Sequence, residues 1–217
     1  MAVVINGKDL TIEEVIRVCR GMEKVEISEE AQAAVNKARG YIDSKLEEGA
    51  IIYGLTTGFG KFANVFIDMD QTAELQHNLI ISHTCGMGEP YEQKYVRAAM
   101  LLRCNALSRG NSGIRLSTIQ TMVDMLNAGV HPQVPCKGSL GASGDLAPLS
   151  FIALGLIGLG EVEYKGKIMP AADAMEKAGI SPVKLVAKEG LALNNGTQMM
   201  TAVGVNVLWD AMNLAKI

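Results

Sequence analysis

The segment Gly138-Ser139-Leu140-Gly141-Ala142-Ser143-Gly144-Asp145-Leu146-Ala147-Pro148-Leu149 carries the residue types best suited to chemistry in this chain. Glycine at 144 has no Cβ, so the backbone there can enter a compressed turn that other residues resist. Ala142 is too small to obstruct a close backbone approach, and Ser143 adds a hydroxyl between the two. The same residues also fit a plain glycine-rich loop capped by Asp145 ahead of a helix. A phosphate-cradling loop does not fit, because no Gly-Lys-Ser/Thr follows. A hydrolase nucleophile elbow fails too, because Gly141-Ala142-Ser143-Gly144 lacks the spacing of G-x-S-x-G.

Three further positions could serve a site. Tyr53 precedes a glycine-rich piece, Gly54-Leu55-Thr56-Thr57-Gly58-Phe59-Gly60, and could equally pack at a strand end. His83 follows Ser82 at the end of a helical stretch, where histidine also serves as a structural hydrogen-bonder. Asn195 lies in Leu193-Asn194-Asn195-Gly196-Thr197-Gln198, a place that also suits a helix N-cap. His77 and His131 complete a scattered set of histidines with no nearby acidic partners, so no metal site is expected.

These residues need elements to hold them. Asn6-Gly7 predicts a small hairpin over Val3 to Leu10. Thr11 and Glu14 form a capping box, and Ser28 caps a second helix that Gly49 can stop. Helices are predicted over Thr72 to Ser82, Tyr91 to Leu107 and Leu116 to Leu126, the last stopped by Gly129. Pro132 and Pro135 make an extended connection into the Gly138–Asp145 loop, which feeds an apolar helix. Glu161 to Met169 reads as a hairpin, Ala172 to Lys177 as a short helix closed by Gly179, and Gly196 onward as a helix again. The apolar face of that last helix should bury itself against something.

The Ala142-Ser143-Gly144 loop resembles the signature of the aromatic amino-acid ammonia-lyases and aminomutases. In that family the tripeptide cyclises to a methylidene-imidazolone (MIO). The resemblance implies that the Gly144 nitrogen closes onto the Ala142 carbonyl carbon and that Ser143 loses its hydroxyl as water. Such an electrophile answers a real need. A positioned general base supplies roughly 10²–10⁴-fold, whereas enzymes commonly accelerate reactions by about 10⁶-fold or more. The Tyr53-to-Gly60 piece resembles the family's inner active-site loop, which implies that Tyr53 is the base. Ser82-His83 is similar to the pair in histidine-specific members, which implies that His83 reads an imidazole. Asn195-Gly196-Thr197 resembles the family's amide motif, which implies that Asn195 contacts the ring and the substrate. Asn194 departs from the apolar residue common at its position.

The implied reaction is L-histidine to trans-urocanate plus ammonia, with no external cofactor. Tyrosine or phenylalanine elimination, a 2,3-aminomutase, or a non-catalytic scaffold half needing a partner chain are the alternatives. The resemblance covers the chain but only the front of the family's pattern, so this piece alone is expected to turn over little. The family also implies a homotetramer whose active sites are shared between subunits.

The expected fold is mainly α. A compact α-rich front domain with short β-hairpins, residues 1–110, precedes the start of a long-helix bundle, residues 111–217. The 217 residues carry a net charge of −3 with mixed signs, which points away from nucleic acid and acidic membranes. No signal segment or spanning stretch is read. Cys19, Cys85, Cys104 and Cys136 form no CxxC pair and are expected as free thiols in a cytoplasmic protein.

Overall fold

The computed structural model describes residues 2–52, 54–58 and 71–216. It is mainly helical, as the sequence implies, with short strands at the joints. Strand β1 (Val3–Ile5) leads into helix α1 (Ile12–Cys19), β2 (Val25–Ile27) and the long α2 (Glu29–Glu47). The Thr11–Glu14 capping box is formed, with Glu14 N–H donating to Thr11 Oγ1 at 3.3 Å and Thr11 N–H to Glu14 Oε2 at 2.9 Å.

The hairpin expected at Asn6-Gly7 is absent. β1 instead pairs in parallel with β2, in the register Val3↔Val25 and Ile5↔Ile27, so α1 is the crossover. The reason is local and tertiary at once. Asn6 Oδ1 accepts from Lys8 N–H (2.9 Å) and Asp9 N–H (3.1 Å), which turns the chain toward α1 rather than back on itself. Gly7 N–H donates to Asn105 Oδ1 at 2.9 Å, so the dipeptide is tied to a distant helix. The second expected hairpin does form. β6 (Glu161–Tyr164) and β7 (Lys167–Pro170) pair antiparallel across Lys165-Gly166, both at positive φ as a primed turn requires.

Helices α3 (Thr72–His83), α4 (Gln93–Leu107), α5 (Leu116–Ala128) and α6 (Leu146–Leu156) follow the predicted segments within a few residues. Gly129 caps α5 in the left-handed region at φ 78°. Pro148 sits in the first turn of α6, where its missing N–H costs no helical bond. Between these helices lie β3 (Met87–Pro90), β4 (Val130–Pro132) and β5 (Pro135–Lys137). β3 pairs with β5, while β4 joins the β6–β7 hairpin. Helix α7 (Ala171–Lys177) leads on to α8 (Glu189–Asn194) and α9 (Gln198–Leu214). Helix α8 has no counterpart in the sequence reading, because six residues are too few to show a 3.6-residue period.

Helix α4 runs through the core and is buried on nearly every side, with Val96, Ala98, Ala99, Met100, Leu101, Cys104 and Leu107 almost wholly out of solvent. It packs against α1, α5 and α9. Arg97 is buried with them, and its guanidinium donates to the carbonyls of Val18 and Leu126 and to His131 Nε2. Burial pushes both groups away from the charged form, Arg97 down to about 10 and His131 to about 3. His131 is therefore a neutral core acceptor. No helix among the described residues is long and apolar enough to cross a membrane.

Candidate active site

The chain leaves β5 at Gly138, where φ is +137° and a Cβ would lie 2.9 Å from the Gly86 Cα. The two backbones therefore pass close together, which places the base of the Ala142–Gly144 loop beside the segment that follows His83. The antiparallel pairing Met87↔Lys137 extends the same join. Ala142 is exposed, Ser143 is partly buried, and Gly144 and Asp145 are buried. Gly144 has φ +78°, and a Cβ on it would overlap Ser139 Oγ. The left-handed conformation favours glycine there, and any Cβ would also displace the Ser139 hydroxyl. Ser143 Oγ accepts from Asp145 N–H at 3.1 Å, which closes the turn.

Asp145 occupies the N-cap position of α6 but makes no side-chain bond to that helix. Its carboxylate reaches across to α9, accepting from Met199 N–H at 2.7 Å and Met200 N–H at 3.2 Å. These are first-turn amides of α9, whose own N-cap residue, Thr197, offers no side-chain bond. The loop is thus fastened to the helix that begins just after Asn195-Gly196-Thr197. Burial raises the Asp145 carboxyl above its ordinary range, and the two amides and the Arg103 charge oppose that shift. A cleft of about 260 Å³ opens here, lined by Ser143, Gly144, Asp145, Tyr91 and Met199 among others. Burial raises the Tyr91 phenol as well.

Asn195 ends α8 in an extended conformation (φ −98°, ψ 109°) with its side chain exposed. The helix N-cap role open to it in the sequence is not the one it takes. Helix α8 is anchored at both ends. Glu189 is fully buried and accepts from Arg115 Nη2 (2.7 Å) and Thr118 Oγ1 (2.7 Å), while Gln76 Oε1 accepts from Gly190 N–H (2.9 Å). At the other end Arg103 of α4 donates to the Ala192 carbonyl and, at 2.7 Å, to Gln198 Oε1. Asn194 is buried beside this junction, and its Oδ1 has no partner among the described residues.

His83 closes α3. Its Nδ1 lies 2.8 Å from the Leu79 carbonyl and 3.1 Å from Ser82 Oγ, and Ser82 Oγ itself donates to Leu79 O at 2.9 Å. A carbonyl oxygen only accepts, so Nδ1 carries a proton in this arrangement, and in that tautomer Nε2 is the acceptor. Tyr53 lies outside the described residues. On its far side Thr56 and Thr57 are buried, and their hydroxyls bond the local backbone. The structure therefore joins the Ala142–Gly144 loop to the Asn195 turn through Asp145, and to the segment after His83 through Gly138 and Gly86. Sequence reasoning missed Asp145's reach to α9, Tyr91 in the cleft, and Arg103. No group of three or more candidate metal ligands occurs among the described residues.

The sequence profile of the family described as aromatic amino acid lyase matches residues 10–217. The chain belongs to this family. Among aromatic amino acid lyases it is 56% identical over 215 residues to the histidine ammonia-lyase of Alkaliphilus oremlandii, covering 99% of this chain and 42% of that protein. The histidine ammonia-lyase structure from Trypanosoma cruzi superposes with a TM-score of 0.91 at 38% identity, covering 99% of this chain and 41% of that one. The phenylalanine aminomutase of Pantoea agglomerans gives 0.90 at 38%, covering 98% and 41%. The chain thus spans less than half the length of these family members.

Proposed function

We propose that this chain is the front part of a histidine ammonia-lyase, converting L-histidine to trans-urocanate and ammonia. One observation carries the reading: the Ala142-Ser143-Gly144 turn holds Gly144 in the left-handed region, at φ +78°, and is fastened to the Asn195 turn through Asp145. In ring closure the Gly144 nitrogen bonds to the Ala142 carbonyl carbon, and that oxygen leaves as water. Ser143 loses its hydroxyl and its Cα proton as a second water. Such an MIO group supplies an electrophile for the elimination. The residues present suit it: a glycine held at positive φ at 144, an exposed Ala142 and a partly exposed Ser143.

Around that group each residue has its own task. Tyr53 is proposed as the base for the β-proton. A free phenol titrates near 10, so it needs neighbouring donors or positive charge to act at neutral pH. His83, with Nε2 free to accept, takes an N–H of the substrate imidazole. Asn195 presents an exposed amide to the amino-acid portion of the substrate. We further propose a homotetramer in the cytoplasm at full family length, and little turnover from this piece alone.

The aminomutase superposes as well as the ammonia-lyase, so fold likeness does not choose between them. The Ser82–His83 pair favours histidine. Steady-state assays on histidine, tyrosine and phenylalanine, in a protein carrying this chain at full family length, test the choice. Urocanate from histidine is expected, and turnover of tyrosine or phenylalanine without histidine would contradict the reading.

A further inference from the structure

Arg103 is, with Arg97, one of the two buried arginines of α4. It is 5% exposed, yet among the described residues it has no carboxylate within ion-pairing distance. Its fork is used on backbone and amide oxygens instead. Nη2 donates to the Ala192 carbonyl, which belongs to the last turn of α8 and lacks a helical donor there. Nη1 donates to Gln198 Oε1, in the first residue of α9. One planar group therefore spans the two helices that flank Asn195-Gly196-Thr197. The guanidinium lies close against the turn: a Cβ on Gly196 would overlap both Arg103 Nη1 and Gln198 Oε1. From the other side Asp145 holds the first amides of α9. The turn thus sits between a guanidinium fixed in the core and a carboxylate fixed in the reactive loop.

We propose that Arg103 is the positioning residue of this site, setting the Asn195 turn in register with the Ala142–Gly144 loop. This rests on the reading of Asn195 as a substrate-facing amide. A lysine cannot replace it, because an ammonium is a single point and cannot hold two acceptors on separate helices in one plane. A methionine of similar length cannot either, because it fills the space and leaves both oxygens without a donor.

Hydrogen exchange on the intact protein tests this without any assay of turnover. Arg103→Met and Arg103→Lys should each speed exchange of the Met199 and Met200 amides by about tenfold or more, as loss of a charged hydrogen bond allows. The amides of α1 and α5 should stay within about twofold. In Arg103→Ala, added ethylguanidinium should restore the Met199 and Met200 protection, whereas propylamine should not. A purely space-filling role predicts that Arg103→Met behaves as wild type, and that result would overturn the proposal. A uniform rise across all helices, or rescue by propylamine as readily as by ethylguanidinium, would overturn it as well. Because exchange is read rather than ammonia release, failure here leaves the lyase reading standing, and failure of the lyase reading leaves this result unchanged.

Discussion

Two arginines on the same face-crossing helix, Arg97 and Arg103, are both buried, and burial lowers both to about 10. Their surroundings differ. Arg97 has every nitrogen engaged, on Val18 O, Leu126 O and His131, and so binds α1, α5 and β4 into one core. Arg103 has no partner for its Nε among the described residues and uses its two terminal nitrogens at the α8–α9 junction, whose α9 amides Asp145 also holds. A fully satisfied buried cation holds a fold together. Arg103 instead fixes one junction, between α8 and α9, rather than the core as a whole.

Breaking the first node should cost most. Arg97→Met takes the guanidinium donors from two carbonyls and from His131 Nε2 and should lower the unfolding free energy by about 3 kcal/mol or more in urea titrations. A loss no larger than that of Arg103→Met would erase the contrast. The His131 end of the node can be probed by pH. Its folded value, about 3, lies below the ordinary 6.5, so it contributes stability above pH 6.5 that is lost as pH falls toward 3. Between pH 7 and 5 that loss should be about 2 kcal/mol, and His131→Gln should show a slope flatter by that amount. Equal slopes would place the imidazole in solvent.

The second region should respond locally and more weakly. Gly144→Ala forces a Cβ into a left-handed position against Ser139 Oγ, at about 1–2 kcal/mol, and denaturant melts should show it. Asp145→Ala removes the cap of α9 for about 1 kcal/mol, with faster exchange confined to the first turn of that helix. If Asp145→Ala instead loosened α1 and α5, the site would be part of the core rather than a structure laid upon it.

Much of this was legible in the sequence where the signal is local. The capping box at Thr11, the Gly129 stop, the Lys165-Gly166 hairpin and the residues of the Ala142–Gly144 loop all depend on neighbours a few positions away. The expected hairpin at Asn6-Gly7 failed because Gly7 is claimed by Asn105, nearly a hundred residues on. Asp145 reads as an ordinary cap for the helix that follows it, and only the fold turns its carboxylate to α9. Arg103 sits inside an unremarkable helical stretch, and no spacing announces that its fork will meet Ala192 and Gln198. Asn194 was noted for its departure from an apolar residue, and it is one of the buried side chains with an atom that has no partner among the described residues.

The central claim is that the Ala142-Ser143-Gly144 backbone condenses on itself to make the electrophile. Intact mass of a protein carrying this chain at full family length tests it most directly. The wild type should be lighter than its sequence by two waters, and Ser143→Ala should lose both that deficit and urocanate formation. A wild-type protein of full sequence mass that still releases ammonia from histidine at its normal rate would contradict the account.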